Sequence, residues 1–380
     1  MKLFHISDLH LGKCFRGVSF IEDQKYILNS ILELVDSRQP DGLIIAGDVY
    51  DRSMPSAEAS ELLDNFLTEL SLRKLPVVVT SGNHDSAERL SFGRSFMSEG
   101  GVYLSPVFDG TMEKLVLEDK YGKVNIYMLP FIKPVHVRRF FPEAEIGSYT
   151  EAVKYVIENA RVDFESRNVI AAHQFVVSGG EGPERSDSEI QQTGGIDSVD
   201  ISAFDGFDYT ALGHIHRPQK IGRENVRYSG TPLKYSFSEA GHRKSAAEVE
   251  LGEKGNVRVT LLPLEPLRDM RIIRGSLEEV IQLGKAETDG NDDYIKCILT
   301  DTEPIASPME RIRTVYPNAL QLEFENQGYR RGKIHNENVE EKPPMELFAD
   351  FFELISGKSL SDAQSDVMEK LLEGLTGESL

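Results

Sequence analysis

The sequence predicts a layered α/β domain over residues 1–265, a small α+β domain over 266–326, a linker over 327–342 and a helix pair over 343–380. Three observations predict this. Short aliphatic runs alternate with helical stripes through the long N-terminal part. Near residue 265 the texture changes to a compact strand–helix–strand–helix–strand pattern. Two amphipathic stretches then come after a polar, charged segment. Alternating strands and helices build layered α/β folds, because each apolar sheet face must be covered by another layer.

The strand candidates are Leu3–Ser7, Leu43–Ala46, Val77–Ser81, Val169–Ala172 and Tyr209–Leu212. They are short and largely aliphatic or β-branched, as strands buried on both faces are. Between them lie helical stripes at i, i+3, i+4, i+7. Leu28, Ile31, Leu32 and Val35 form one, Ala59, Leu62, Leu63 and Phe66 another behind the Pro55–Ser56 start signal, and Val153, Val156, Ile157 and Ala160 a third. Residues 178–200 are polar and glycine-rich, and predict a solvated surface loop rather than one whose Arg185 reaches substrate. From Arg271 to Glu325 the runs RIIRG, SLEEVIQL and YIKCILT mark the small α+β domain. Beyond Pro343–Pro344, Phe348, Phe351, Phe352 and Ile355 make one apolar face. Val367, Met368, Leu371, Leu372 and Leu375 make another, behind a capping box at Ser361 and Gln364. Two such helices cannot hold a core alone, so they must pack on their own chain or on a partner.

Composition narrows the function classes. A hydrophobic fraction of 40% and a charged fraction of 27% are those of a globular protein. Two cysteines, Cys14 and Cys297, far apart and without a CxxC, exclude a disulfide scaffold and a thiolate zinc site. Asp8 and His10 interrupt the N-terminal apolar stretch, which argues against a signal peptide, and no run approaches a membrane span. The expectation is a cytoplasmic protein. A net charge of −20 would repel nucleic-acid phosphates, so a DNA-acting protein of this kind needs cations or a partner for its grip.

The chemistry lies in the residues just past each strand. Leu3–Ser7 leads into Asp8 and His10. Leu43–Ala46 leads into Gly47 and Asp48. Val77–Ser81 ends at Gly82-Asn83-His84-Asp85, Val169–Ala172 at His173, and Tyr209–Leu212 at Gly213-His214-Ile215-His216. Ligands of open α/β sheets bind beyond the carboxyl ends of strands. All five strands are therefore expected to deliver these side chains to one edge of one sheet. Gly47, Gly82 and Gly213 would let the chain turn sharply below the ligands. Carboxylate, imidazole and amide oxygen suit divalent cations, and the histidine richness leans toward a transition metal. Two such ions about 3.5–4 Å apart can clamp a phosphodiester and activate water. Asp48 is the candidate bridge between them. Each string alone is weak, since a lone DxH is common by chance and a lone Gly-Asp is usually a turn. All of them in order, with a strand before each, are not. Among the remaining histidines His5 reads as core, and His136, His242 and His335 as surface.

The strings Asp8–His10, Gly47-Asp48, Gly82–Asp85, His173 and Gly213–His216 together resemble the calcineurin-like metallophosphoesterases. The string YSGTPLKYSFSE, Tyr228 to Glu239, is similar to the SbcD branch, as are the small domain and the helix pair, so the resemblance covers nearly the whole chain. It implies a layered β-sandwich metallophosphoesterase domain flanked by helices. By motif, Asp8, His10, Asp48 and His216 would hold a first metal, and Asp48, Asn83, His173 and His214 a second, with manganese preferred. His84 would face the scissile phosphate without ligating, and Asp85 would orient His84. Archaeal relatives carry a histidine where Asp51 stands, so no catalytic role transfers there. Asp51 is read as holding a loop and Arg52 as a phosphate contact.

The resemblance further implies 3′→5′ exonuclease action on duplex DNA ends and endonuclease action on single strands and hairpins, in DNA repair, recombination and replication. It implies an SbcC-type coiled-coil ATPase partner that receives the helix pair, a homodimer within a heterotetramer, and a capping, DNA-binding role for 266–326. Two alternatives stand beside it. One is a cyclic-nucleotide or small-phosphoester hydrolase on the same metals. The other is a scaffold with a degenerate site, which the full set of ligands opposes.

Overall fold

The computed structural model describes residues 1–189, 197–325, 343–356 and 359–376. The expected linker 327–342, His335 and the side chains of Ile355 and Leu375 lie outside the described residues. The chain divides into two compact units, Met1–Met270 and Arg271–Leu380.

In the first unit the elements that position the site are, in chain order, β1 (Lys2–Ile6), α1 (Ile21–Arg38), β2 (Gly42–Ala46), α2 (Ala57–Leu72), β3 (Val77–Thr80), β4 (Val102–Leu104), β5 (Glu113–Asp119), β6 (Gly122–Leu129), α3 (Tyr149–Asn159), β7 (Arg167–His173), β8 (Tyr209–Gly213), β9 (Gln219–Ile221), β10 (Arg223–Tyr228), β11 (Ser245–Leu251) and β12 (Val257–Pro263). The helices start where the sequence supplies caps. Ser56 accepts the Ala59 N–H at the head of α2, and Ser148 and Glu151 form a reciprocal capping box on α3.

Two six-stranded sheets result. The first runs β12-β11-β1-β2-β3-β4 and the second β9-β10-β8-β7-β6-β5. β1, β2, β3 and β4 are mutually parallel, as are β6, β7, β8 and β10. The sheets stack face to face through Leu3, Ile44, Val78 and Val249 on one side and Ile126, Met128, Val169, Ala171, Tyr209 and Ala211 on the other. Alternate residues of the first sheet, such as Phe4, Ile45 and Val79, face outward yet are buried, where α1 and α2 carry buried stripes. The outer face of the second sheet packs Tyr127, Leu129, Ile170 and Leu212 against Val153, Val156 and Ile157 of α3.

One expectation is overturned here. The five strands that lead to the motifs do not share a sheet. β1, β2 and β3 lie in the first, β7 and β8 in the second. All five are buried parallel strands, and a buried parallel run carries no mark of which sheet it joins.

In the second unit β13 (Met270–Gly275), α4 (Leu277–Ala286), β14 (Tyr294–Leu299), α5 (Pro308–Arg313) and β15 (Ala319–Phe324) form a three-stranded sheet in the order β13-β14-β15 with helices. Its core is Ile273, Leu277, Val280, Ile295, Cys297, Leu299, Ile312 and Tyr316. Two further helices come next, α6 (Pro344–Ser356) and α7 (Asp362–Thr376). Phe351, Val367 and Leu371 stay exposed on them, and Ser361 and Gln364 make the expected cap contact. Among the described residues no helix is long and apolar enough to cross a membrane.

Candidate metal centre

Every motif residue singled out in the sequence comes to one place, where the carboxyl ends of the two sheets meet. Asp48 Oδ2 is the hub. It lies 3.2 Å from His173 Nε2, 3.8 Å from His10 Nε2 and 4.0 Å from His84 Nε2. Three overlapping groups have donor atoms within 4.8 Å of one another: Asp8, His10 and His216; Asp8, Asp48 and His173; His10, Asp48 and His84. Asn83 Oδ1 sits between His173 Nε2 at 3.1 Å and His214 Nδ1 at 2.9 Å.

The backbone is bent to achieve this. Asp8, His10, Asp48 and His214 all have positive φ, at 53°, 44°, 47° and 102°, a conformation that is costly for such residues and collects at functional sites. Glycine is needed here for space more than for turning. Gly47 does turn with φ +83°, but a Cβ on Gly82 would lie 2.1 Å from Asp48 Oδ1, and one on Gly213 would lie 1.9 Å from the Ala46 carbonyl oxygen. The sequence expectation of three sharp turns is corrected to one turn, at Gly47, and close approaches between segments at all three, since a Cβ on Gly47 would lie 2.3 Å from His173 Nδ1.

The donor set fits divalent cations. His173 Nδ1 donates to the Ala46 carbonyl at 2.8 Å, which leaves its Nε2 facing the acceptors Asp48 Oδ2, Asn83 Oδ1 and, at 4.0 Å, Asp8 Oδ1. Lone pairs converging in a buried place need a proton or a cation between them. Without a metal the proton takes that role. Burial opposes a charge on His173, but the Asp48 and Asp8 carboxylates outweigh it and raise its pKa to about 9. Asp8, raised by burial and by Asp48 against the pull of His173, stands at about 6. His10 Nε2 and His216 Nε2 face each other at 3.2 Å, and burial pushes His10 well below its ordinary value. His214 falls to about 3, from burial first and then from charges that include His173 and Arg185. Neutral imidazoles beside carboxylates are the protonation states that metals require.

The outer lone pairs of the carboxylates are used to tie segments together. The His84 N–H donates to Asp48 Oδ1 at 2.8 Å, and the His214 N–H donates to Asp8 at 3.0 Å. Asp85 does not orient His84. Its carboxylate accepts the backbone N–H groups of Gly82, Val49 and Tyr50 at 2.8, 3.1 and 2.9 Å, so it pins the Gly-Asp loop to the Asn-His loop. Its three hydrogen bonds all go to backbone amides and none to the His84 imidazole. The ring of His84 is held instead by the backbone of Asp51, whose carbonyl lies 2.9 Å from His84 Nδ1. The Asp51 carboxylate takes Lys13 Nζ at 2.8 Å. Arg52 is largely solvent-exposed.

Sequence reasoning missed a layer of support under His216. Residues 178–189 are not a plain solvated loop. Glu189 accepts the His216 N–H at 2.9 Å, and Ser188 Oγ lies 2.8 Å from His216 Nδ1 and donates to Glu239 Oε1 at 2.5 Å. Beneath them Lys244 Nζ meets Glu239 Oε2 at 2.6 Å in a buried pair. Burial pushes the Glu239 carboxyl up, but the Lys244 ammonium overrides this and holds it below the usual range. Tyr235 and Gln24 support the other side, Gln24 Nε2 donating to the His10 carbonyl at 2.7 Å and Tyr235 to the Leu9 carbonyl at 2.6 Å. The signal was present in the string Tyr228–Glu239, whose Tyr235 and Glu239 point to this layer. Of the other histidines, His5 is buried against the Tyr209 hydroxyl at 2.9 Å and His136 is exposed. His242, expected at the surface, is half-buried with its Nδ1 enclosed.

Known protein families match both parts of the chain. The model described as calcineurin-like phosphoesterase matches residues 1–218, and the one described as type 5 capsule protein repressor C-terminal domain matches residues 266–355. The SbcD component of the nuclease SbcCD from Staphylococcus epidermidis is 32% identical over 376 residues, 98% of each chain. Solved structures similar to part of the chain include a dimetal phosphatase from Danio rerio, with 12% identity, 70% of this chain and 97% of that one covered, and a TM-score of 0.42. The phosphopantetheinyl hydrolase of Mycobacterium tuberculosis matches with 17% identity, 61% and 90% coverage, and a TM-score of 0.34. With a phosphoesterase model over more than half its length and a full-length relative, the chain belongs to the SbcD family within the calcineurin-like phosphoesterases.

Proposed function

We propose that this chain is the nuclease component of an SbcCD-type complex, hydrolysing DNA phosphodiester bonds at the centre around Asp48. The observation that carries this is the meeting of Asp8, His10, Asp48, His173 and His216 donor atoms within 4.8 Å in overlapping groups, in a chain that belongs to this family. Asp8, His10, Asp48 and His216 would hold one divalent cation, and Asp48, Asn83, His173 and His214 a second, with manganese the preferred metal. Such a pair lowers the pKa of water and neutralises charge on a phosphoryl group. The chain's own residues do the rest. Asp48 spans both donor sets. His84, fixed through Nδ1 by the Asp51 carbonyl, turns Nε2 to the same space and protonates the departing 3′ oxygen. Asp85 keeps the two loops that carry Asp48 and Asn83 in register.

The activity is 3′→5′ exonuclease on duplex ends and endonuclease on single strands and hairpins, in DNA repair, recombination and replication in the cytoplasm. The partner is an SbcC-type coiled-coil ATPase, in a heterotetramer with two copies of this chain. The exposed apolar side chains Phe351, Val367 and Leu371 support docking of 343–380 on the coiled coil, since helices of this kind bury such faces in a groove. Residues 266–326 cap the nuclease domain and contact DNA, and 327–342 links them to the helices. A chain cut at about residue 340 tests this. It should hydrolyse a simple phosphodiester with manganese but no longer co-purify with the ATPase, and full-strength co-purification would remove the docking assignment.

A further inference from the structure

Arg185 holds a place that the metal centre does not itself explain. Its guanidinium carbon lies 3.6 Å from the centre of the Phe175 ring, and that ring lies 6.2 Å from the imidazole of His214. Among the described residues no carboxylate pairs with it. The glutamates close to it in sequence have other partners: Glu184 pairs with Arg217, and Glu189 Oε1 accepts from the His216 backbone. In a chain with 62 acidic and 42 basic side chains, a half-buried cation without a carboxylate is conspicuous. Stacking on an aromatic face fixes the plane of a guanidinium and leaves its N–H edge free to donate.

The surroundings make this placement costly unless an anion completes it. Across the Phe175 ring lies His214, one of the side chains that would gather divalent cations, and such cations repel a guanidinium. A phosphate lying between them satisfies both, since it takes metal on one oxygen and a paired N–H fork on the others. We propose that Arg185 is a substrate-binding residue that donates to a backbone phosphate of the DNA strand held at the metal centre. This rests on the nuclease reading given above.

The test uses the full chain with manganese and linear duplex DNA, and compares wild type with Arg185→Ala and Arg185→Lys. The alanine variant should lose about tenfold to a hundredfold in kcat/KM, the scale of a charge-assisted hydrogen bond, and the lysine variant less. The slope of log kcat/KM against log salt should become shallower by about 0.7–0.9, one phosphate contact. Manganese affinity, measured by calorimetry, should not change. A small diester with a single phosphate then locates the contact: an equal loss there puts Arg185 on the scissile phosphate, and no loss puts it on a neighbouring one. Unchanged kcat/KM and salt slope in an otherwise active nuclease would overturn the assignment and leave the nuclease reading intact. A loss that tracks weakened manganese binding would overturn it too, by tracing the effect to the loop beneath His216. If the wild-type chain fails to cut DNA at all, the nuclease reading itself falls.

Discussion

His84 and Asp85 adjoin in the chain and serve different partners. The imidazole faces the metal donors, 4.0 Å from Asp48 Oδ2, while the carboxylate accepts from three backbone amides. The residues that gather around Asp48 were readable because each came directly after a strand in a short string. The role of Asp85 was not, because a carboxylate beside a histidine looks the same whether it binds the ring or the loops. Ser188, Glu189 and Glu239 were equally hidden, since their contact with His216 joins stretches that only the fold brings together. The distinction has a consequence. His84→Ala removes a proton donor and leaves both donor sets whole, so metal content should stay at the wild-type level while DNA cleavage falls about 10²–10⁴-fold. Full cleavage by this variant would take His84 out of the reaction.

At the scale of elements, the site exists because two sheets are held at a fixed separation. The strand-like runs were legible, but the division of β1, β2 and β3 from β7 and β8 was not, since hydrophobic pattern reports burial and not sheet membership. The separation is set at the site by glycine, where any side chain on Gly213 would collide with the Ala46 carbonyl. At the opposite ends of the strands a polar clasp does the same. Arg167, opening β7, pairs with Asp119 at 2.5 Å and donates to the Gly252 carbonyl at 2.9 Å, and the N-terminal ammonium reaches Asp119 at 2.6 Å. The Arg167 guanidinium, against a smaller effect of burial, holds the Asp119 carboxyl well below its ordinary range. A carboxylate with a depressed folded pKa adds stability above its unfolded value and loses it as pH falls toward the folded one. Asp119→Asn should therefore cost about 2 kcal/mol in urea denaturation at neutral pH. The difference from wild type should shrink once pH drops below about 4. A penalty that stays constant down to acid pH would mean that charge plays no part in the clasp.

The whole molecule carries a net charge of −20 and yet belongs to a family named for a nuclease. Charge of that sign repels DNA at long range, so under the proposed function the cations held at the centre and the proposed partner would supply the attraction. The two amphipathic stretches were legible in the sequence and form helices over Pro344–Ser356 and Asp362–Thr376, whereas what covers their apolar faces is not written in their own pattern. All of it depends on five separated segments closing around one shared carboxylate. Manganese content by elemental analysis, with paramagnetic resonance to detect coupling, tests that most directly on wild type and Asp48→Ala. The expected result is a magnetically coupled pair of ions per wild-type chain and loss of the coupled signal in the variant. A coupled pair that survives without Asp48, or isolated single ions in the wild type, would contradict it.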